Sequence, residues 1–241
     1  MQKLPSQIQM VVIDGKKISR KILDELKKLP KPDKKLVAIL VGDNPASESF
    51  LRQKKKIAEE LGLNFDIYRF EEDLAEEELK EAIRAVQNKS EVGGLIIQLP
   101  LPPKFNRESV LSVLQSEKDL DALSLEAKVL PLPVEVVRDI LAEVNFNLKD
   151  KVVAVIGRGI LVGGPISEWL AGKCKELLVF NSRSELSDLK KADLIISGAG
   201  KAGLIKPEML KAGVGVIDFG FSLVDGKIRG DLETDNSKLI T

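Results

Sequence analysis

The sequence predicts an α/β protein with two domains, each built on a parallel β-sheet. Strand-like and helix-like segments alternate along its 241 residues, an order that places successive strands parallel in one sheet. The segment KLVAILV at residues 35–41 is a continuous apolar run, as in strands that are buried on both faces. Periodicity is lost between residues 118 and 135, and a second series of strands and helices follows. We therefore place the domains at residues 1–120 and 121–241.

The spacing of apolar residues assigns the elements of the first domain. Apolar residues recur every three or four positions in four segments, which is typical of amphipathic helices. The predicted helices span residues 17–29, 45–62, 75–88 and 106–115. Apolar runs bounded by turn residues are typical of strands. The predicted strands span residues 35–41, 64–70 and 93–99.

The same criteria assign the second domain. Its predicted helices span residues 133–144 and 166–173. Its predicted strands span residues 151–157, 176–181, 192–200 and 213–220. Each strand that is followed by a crossover to the next predicts a parallel pair.

The composition excludes several classes of function. Lysine plus arginine and aspartate plus glutamate number 37 each, so a formal charge of zero gives no reason to expect nucleic acid or an acidic membrane as a partner. The absence of histidine and the single cysteine, Cys174, exclude histidine catalysis, a disulfide and the usual zinc sites, so no metal is expected. No apolar run is long enough for a transmembrane helix, and the N-terminus lacks the apolar stretch of a signal peptide. We expect a soluble, cytoplasmic protein.

One lysine shares the face of a predicted helix whose other residues suit a buried or half-buried stripe. The positions on this face, at three- and four-residue spacing, are Ser47, Phe50, Leu51, Lys54, Ile57, Ala58 and Leu61. Lys54 is the exception among them, because a lysine that faces inward is costly to desolvate unless it has a partner or a chemical role. Burial disfavours the ammonium form, so such a lysine can exchange protons near neutral pH. Lys54 is therefore the leading candidate for a catalytic residue.

Further polar residues follow the strands of the first domain, where ligands bind in open parallel sheets. Asp43 and Asn44 follow the first strand, Gln98 ends the third, and Asp119 and Asp121 follow the next helix. Each also has a purely structural interpretation. The first pair suits a helix cap, the glutamine suits a partner of strand-end backbone, and the last pair suits a turn.

A glycine-rich turn follows the first strand of the second domain. The segment KVVAVIGRGILVGGP places Gly157, Arg158 and Gly159 after the strand and Gly163 at the start of a helix. The spacing resembles the dinucleotide fingerprint with one extra residue. Such glycines let backbone N–H groups and a helix N-terminus approach a pyrophosphate. The alternative is a tight strand–helix turn with arginines on the surface.

The end of the next strand indicates which dinucleotide is bound. NAD sites favour an acidic residue there, which hydrogen-bonds the ribose. This strand instead ends in Asn181, Ser182 and Arg183. Arg183 and Arg158 suit a 2′-phosphate, because a guanidinium pairs bidentately with phosphate. The sequence therefore predicts NADP as the cofactor.

Together these segments resemble the bifunctional methylenetetrahydrofolate dehydrogenase/cyclohydrolase family. The matching stretches, in family order over nearly the whole chain, are VGDNPAS, Lys54 with Lys56, GGLIIQLPLP, EKDLDA, GRGILVGGP, the NSR strand end, GAGKAG and VIDFG. The resemblance implies an N-terminal α/β folate-site domain and a C-terminal Rossmann-like domain, with folate in the cleft between them. It also implies oxidation of methylenetetrahydrofolate with NADP, hydrolysis of the product to formyltetrahydrofolate, and a homodimer.

The resemblance implies roles for individual residues as well. The lysine matched by Lys54 is the family's key acid/base, the glutamine matched by Gln98 supports it by hydrogen bonding, and the aspartate matched by Asp121 anchors the pterin. Phe50 and Leu99 are expected to contact the substrate. The expected cofactor-binding residues are Gly157, Arg158, Gly159, Gly163, Ser182, Arg183, Gly200 and Phe221.

Several positions depart from the family pattern. Phe50 stands where the family usually has tyrosine, so it keeps a ring that can stack on substrate but lacks the hydroxyl. Ala122 and Gly159 stand in place of a glycine and a serine, and residues 131–134 in place of Pro-Cys-Thr-Pro. The family also continues, through a loop and a helix, past the position matched by Thr241. These departures predict reduced activity. They leave open a noncatalytic folate- or nucleotide-binding relative and a single-activity dehydrogenase.

Overall fold

The computed structural model describes residues 12–124 and 126–233, which form parts of two compact units. The first unit spans Lys16–Pro131, and the second includes the chain from Leu132 onward. The segments at both chain ends that entered the sequence predictions, residues 1–11 and 234–241, lie outside the described residues.

The first unit contains a three-stranded parallel sheet with the order β2-β1-β3. Its elements in chain order are α1 (Gly15–Leu26), β1 (Lys35–Val41), α2 (Pro45–Glu60), β2 (Phe65–Phe70), α3 (Glu76–Gln87), β3 (Val92–Ile97) and α4 (Arg107–Leu111). The central strand β1 is buried from Val37 to Val41, as its continuous apolar sequence predicts. Leu51 and Ala58 of α2 pack against one face of the sheet, in a cluster with Ala38 and Leu40.

The second unit contains a four-stranded parallel sheet with the order β5-β4-β6-β7. Its elements are α5 (Leu132–Glu143), β4 (Val152–Ile156), α6 (Gly163–Leu170), β5 (Glu176–Phe180), β6 (Leu194–Ser197), β7 (Gly215–Asp218) and an antiparallel hairpin of β8 (Ser222–Val224) and β9 (Lys227–Arg229). Alternate residues of β4 enter different clusters. Val153 and Val155 pack with α5 and α6, whereas Ala154 and Ile156 pack with the opposite layer.

In both sheets the strand order reverses beside the first strand. Strands β2 and β3 lie on opposite sides of β1, and β5 and β6 lie on opposite sides of β4. In each sheet the chain leaves the central strand toward one neighbour and then crosses to the strand on the other side, and this reversal opens a crevice at the carboxyl edge, where ligands bind in such folds. The predicted α/β class and parallel sheets are confirmed.

Two parts of the chain differ from the sequence-based assignment. The helix predicted at residues 106–115 is only the short α4, because the residues after it turn back toward β3. The hairpin β8–β9 was not predicted, although Asp225 and Gly226, both with positive φ, form the kind of two-residue turn that joins such strands. Among the described residues, no helix is long and apolar enough to cross a membrane.

The units divide between Pro131 and Leu132, later in the chain than the boundary predicted at residues 120 and 121. The reason is that the segment after α4 is bound to β3 of the first sheet. The amide of Leu95 donates to the carbonyl of Lys118 at 2.7 Å, and the amide of Leu120 donates to the carbonyl of Leu95 at 3.2 Å. The loss of apolar periodicity after residue 118 thus begins in a loop that belongs to the first unit, and the boundary between the units comes later, after Pro131.

A carboxylate ties strands together at the amino edge of the second sheet. Asp193, which directly precedes β6, accepts hydrogen bonds from the amide of Val152 at 2.8 Å and from Nζ of Lys211 at 2.6 Å. Hydrogen bonding from Lys211, together with that from Val152, holds the pKa of Asp193 below its ordinary value of 3.8. The ionised carboxylate therefore stabilises the fold above that ordinary value, and this contribution is lost as the pH falls through the folded pKa.

We expect Asp193→Asn to lower the free energy of unfolding by about 1 kcal/mol at neutral pH. The difference from the wild type should shrink below pH 3.8, where the wild-type carboxylate becomes protonated. Urea unfolding at neutral pH and again below pH 3.8 measures this difference in the free energy of unfolding. The control is Asp188→Asn, which removes an exposed ion pair with Lys191 and should change stability by less than about 0.5 kcal/mol. Equal losses in the two variants, or a difference that grows in acid, would contradict the assignment.

Candidate functional site

The helix that carries Lys54 begins at the carboxyl edge of the first sheet. Asn44 caps α2, because its Oδ1 accepts hydrogen bonds from the amides of Ala46 and Ser47, both at 3.0 Å. Pro45 is the first helical residue, where the lack of an N–H has no cost. The structural interpretation of Asn44 as a cap is therefore confirmed, and the cap fixes the direction in which α2 leaves β1.

The face of α2 that was predicted to be apolar divides into two neighbouring stripes. Four of its residues are buried: Ser47, Leu51, Ala58 and Leu61. Phe50 and Ile57 are 50% and 39% exposed, as half-buried members of the predicted buried or half-buried face. With Lys54 they form a second stripe at spacings of four and three residues, on the flank of the buried one. Lys54 therefore lies at the margin of the core and not within it.

Lys54 meets an aspartate and an aromatic ring at this margin. Its Nζ lies 3.4 Å from Oδ2 of Asp121 and 5.2 Å from the centre of the Phe50 ring. The side chains of Lys54 and Asp121 are 21% and 27% exposed. Partial removal from water strengthens the attraction between their charges relative to a pair in bulk solvent. The site therefore presents an amine, a carboxylate and an aromatic face, all at the surface of one unit.

The loop that holds Asp121 is fixed from both ends. Its first part pairs with β3, where Gly94 has no side chain because a Cβ there would overlap Leu120. Further along, the buried Asp119 accepts a hydrogen bond from the amide of Ser124 at 2.6 Å. Between these points Ala122 has a left-handed backbone with φ 53°. Asp119 thus shapes the turn, as its structural interpretation predicts, and Asp121 projects from it.

Gln98 and Leu99 follow β3 at the same edge of the sheet. The Gln98 amide donates to the carbonyl of Ile39 at 2.9 Å, and its side-chain Nε2 donates to the carbonyl of Leu99 at 2.7 Å. Within the described part of the chain, no hydrogen bond joins Gln98 to Lys54. The Oε1 atom of Gln98 is buried and has no partner among the described residues. It is therefore an acceptor in need of a donor, at a place where a ligand would supply one.

In the second unit, glycines allow three backbone segments to meet at the end of β4. A Cβ at Gly163 would overlap the carbonyl oxygen of Gly157, and a Cβ at Gly157 would lie 2.8 Å from the carbonyl oxygen of Gly198. Gly157 also has a φ of 97°, which only glycine adopts readily. A Cβ at Gly159, by contrast, would meet nothing within 4 Å. Gly157 and Gly163 are needed for packing, whereas Gly159 leaves its backbone open to a ligand.

The arginines predicted to bind phosphate project from neighbouring strand ends. Arg158 follows β4 and Arg183 follows β5, which is paired with β4. The turn after β5 is held by Asn181, whose Oδ1 accepts from the amide of Arg183 at 2.8 Å. Ser182 and both arginines are exposed, and neither arginine forms an ion pair with a carboxylate in the described residues. Their charges are therefore available to an anion.

Gly200 and Phe221 lie near the ends of β6 and β7. The carbonyl of Gly200 accepts from the hydroxyl of Ser222 at 2.9 Å, so the two loops are joined, and Phe221 is 64% exposed. The sequence analysis did not single out Asp231, a carboxylate that also binds the loop of Gly200. Its local sequence RGDLE is that of an ordinary turn, so no short-range signal distinguishes it.

Two family models match this chain, one for each unit. The model described as the catalytic domain of tetrahydrofolate dehydrogenase/cyclohydrolase matches residues 13–121. The model described as the NAD(P)-binding domain of the same enzymes matches residues 131–241. The candidate site of Lys54 lies in the first match and the glycine-rich turn lies in the second.

Individual relatives match over most of the chain. The bifunctional protein FolD of Bacillus subtilis is 34% identical over 94% of this chain and 87% of its own length. Among solved structures, the bifunctional FolD of Campylobacter jejuni is 32% identical with a TM-score of 0.86, covering 93% of this chain and 86% of that one. The Trypanosoma brucei enzyme, solved with NADP cofactor and an inhibitor, is 26% identical with a TM-score of 0.83, covering 92% and 85%.

We expect Gly163→Ala to lower the free energy of unfolding of the second unit by about 1–3 kcal/mol, because its Cβ cannot fit against the Gly157 carbonyl without moving α6. Gly159→Ala is the matched control. It adds the same methyl group where nothing lies within 4 Å, so its stability should change by less than about 0.5 kcal/mol. Thermal unfolding of the two variants measures the difference. Equal midpoints would show that the three segments do not pack as closely as described.

Proposed function

Because the chain belongs to the tetrahydrofolate dehydrogenase/cyclohydrolase family, we propose that it oxidises methylenetetrahydrofolate with NADP and hydrolyses the resulting methenyltetrahydrofolate to formyltetrahydrofolate. The observation that carries the proposal is the meeting of Lys54 with Asp121 and Phe50 at the carboxyl edge of the first sheet. An amine within ion-pairing distance of a carboxylate and beside an aromatic ring suits a flat, nitrogen-rich substrate that becomes cationic during the reaction.

In this proposal the first unit binds the folate. Phe50, half exposed, offers a ring face for stacking. Asp121 accepts hydrogen bonds from the N–H groups of the pterin, and the unpartnered Oε1 of Gln98 accepts another from the substrate or from Lys54. Leu99, which directly follows, contributes an apolar contact. These side chains place the one-carbon unit next to Nζ of Lys54.

Lys54 moves the proton in the hydrolytic step. Loss of a hydride from the methylene carbon leaves a cationic methenyl group, which is open to attack by water. As the water oxygen bonds to carbon, the π electrons of the C=N⁺ bond return to nitrogen and the water gives up a proton, which Nζ of Lys54 is the base placed to take. Cleavage of one C–N bond, with a proton passing to the departing nitrogen, then leaves the formyl group. Asp121, 3.4 Å from Nζ, orients the amine and balances its charge once it is protonated.

The second unit fits a dinucleotide. Gly159 leaves its backbone open, and the N-terminus of α6 follows at Gly163, where N–H groups are directed at an anion. Arg158 and Arg183 would hold the 2′-phosphate, with Ser182 beside them as a hydroxyl donor. Gly200 and Phe221 would line the nicotinamide end of the site. When bound, NADP supplies the hydride acceptor for the dehydrogenase step.

We extend the proposal to organisation and location. The folate-binding and cofactor-binding functions are assigned to the N-terminal and C-terminal units, respectively. As the family resemblance implies, the protein is proposed to be a homodimer in the cytoplasm, with neither nucleic acid nor membrane as a partner. The mass of the purified protein by light scattering tests the dimer, and fractionation of cells tests the location.

We expect Lys54→Met to reduce the cyclohydrolase rate by about two to four orders of magnitude, because it removes the base and keeps a similar side-chain volume. The measurement is the decay of methenyltetrahydrofolate absorbance without NADP. Lys55→Met is the control, since Lys55 neighbours Lys54 in sequence but is exposed and should tolerate the change. Wild-type decay in Lys54→Met would refute the role of Lys54. Assay of the dehydrogenase in parallel distinguishes a bifunctional enzyme from a single-activity one and from a noncatalytic relative.

We expect the protein to bind NADP more tightly than NAD. Replacing both Arg158 and Arg183 by alanine should weaken NADP binding by about tenfold to a hundredfold, because charge-assisted hydrogen bonds to phosphate are lost, and should leave NAD binding unchanged. Calorimetric titration with both cofactors measures this. Arg138→Ala, which removes an arginine of α5 paired with Glu135, is the control for general loss of positive charge. An unchanged preference in the double variant would remove these arginines from the site.

A further inference from the structure

A fully buried carboxylate lies beneath the loop that follows β6. Asp231 is 0% exposed, and it accepts three hydrogen bonds. Its Oδ2 accepts from the hydroxyl of Ser197 at 2.6 Å and from the amide of Ala199 at 2.8 Å, and its Oδ1 accepts from the amide of Lys201 at 2.6 Å. Within residues 12–124 and 126–233, no lysine or arginine side chain forms an ion pair with it. The carboxylate is therefore held by N–H and O–H donors alone, one from the last residue of β6 and two from the loop that follows it.

The chain around Asp231 is fixed against the rest of the unit. The amide of Ile205 donates to the carbonyl of Asp231 at 2.8 Å, and the amide of Glu233 donates to the carbonyl of Ile205 at 2.8 Å. On the other side Asp218, at the end of β7, accepts from the amide of Leu232 at 2.9 Å. Asp231 is thus a rigid anchor for the loop, and not a side chain that follows it.

Two glycines make this arrangement possible. A Cβ at Gly220 would overlap the carboxylate of Asp231, and a Cβ at Gly230 would overlap the carboxylate of Asp218. Asp231 therefore packs against Gly220, which lies close to Asp218 in sequence, and Asp218 packs against Gly230, which directly precedes Asp231. This close packing leaves the two carboxylates little freedom to move, so Asp231 holds the loop from a fixed place.

The anchored loop borders the glycine-rich turn. It starts at Gly198, whose carbonyl oxygen would lie 2.8 Å from a Cβ at Gly157, and it carries Gly200, whose carbonyl accepts from Ser222. The loop therefore forms the wall opposite the turn after β4, across the point where the strand order reverses. A shift of this wall would change the width of the crevice in which a dinucleotide lies.

We propose that Asp231 is a positioning residue for the cofactor, which holds the loop of residues 198–201 in the conformation that binds NADP. It does not touch the cofactor, because it is fully buried. The inference rests on the proposed function, since it assigns the loop to the dinucleotide site of the second unit. Its physical basis is preorganisation: donors that are already fixed need no ordering when the ligand binds, so affinity is gained without a new contact.

The test is Asp231→Asn, which keeps the shape but turns one acceptor into a donor that faces the loop amides. We expect KM and Kd for NADP to rise by about tenfold to a hundredfold, with kcat at saturating NADP within about threefold of the wild type. Cyclohydrolase activity, assayed with methenyltetrahydrofolate and no NADP, should be unchanged because its residues lie in the first unit. Ser197→Ala, which removes one donor to the carboxylate, is a milder second variant. We expect a rise of about threefold to tenfold in Kd for it.

The matched control is Asp193→Asn. It also removes a carboxylate acceptor from a backbone amide in the same sheet, but at the amino edge, away from the loop. The control should lower thermal stability and leave Kd for NADP unchanged. If Asp231→Asn folds and binds NADP like the wild type, or raises Kd no more than Asp193→Asn, the positioning role is refuted. If Asp231→Asn does not fold, an unchanged Kd in Ser197→Ala refutes it. Failure of the wild type itself to bind NADP would overturn the proposed function and this inference together.

Discussion

The structure depends on one constraint, which is the glycine turn where the chain leaves the central strand of each sheet, joined in the second unit by a close approach of backbone to backbone. After β1 the chain turns at Gly42, with φ 74°, and after β4 it turns at Gly157, with φ 97°. Both turns direct the following helix back across its sheet and leave the carboxyl edge accessible. In the second unit this approach is so close that Gly163 has no room for a methyl group. The candidate groups in both units are arranged around these two turns.

Much of the fold follows from short-range pattern. The strand at residues 35–41 was predicted at the bounds it has, because a continuous apolar run flanked by charged residues has few other solutions. The helix predicted at residues 106–115 was too long, because pairing of Leu95 with the segment after α4 is a long-range contact that local periodicity does not report. The hairpin β8–β9 was missed for another reason. Its apolar residues Leu223 and Ile228 are exposed, so they give no pattern of burial.

The candidate site was predictable in part. The sequence singled out Lys54 as the exceptional residue of its helix, and the structure gives it a carboxylate partner in Asp121, a pairing across 67 positions that only the fold creates. The spacing did not separate the buried residues of this helix from half-buried ones such as Phe50, because helical spacing defines a face but not its width. Asp231 was not predictable, because its importance comes from burial and from donors 30 or more positions away. Family resemblance supplied the roles, and the geometry supplied reasons for them.

The left-handed conformation of Ala122 has a consequence for how the folate side of the molecule can change. An L-residue in this conformation costs roughly 1–2 kcal/mol, so some of the energy of folding is held as strain one residue from Asp121. The contacts on either side, at β3 and at Ser124, have to outweigh that cost. If a substitution removed either contact, the turn would relax to a backbone conformation without this strain. Asp121 would then no longer lie beside Lys54. Selection on the proposed folate site therefore extends to side chains that never meet a substrate.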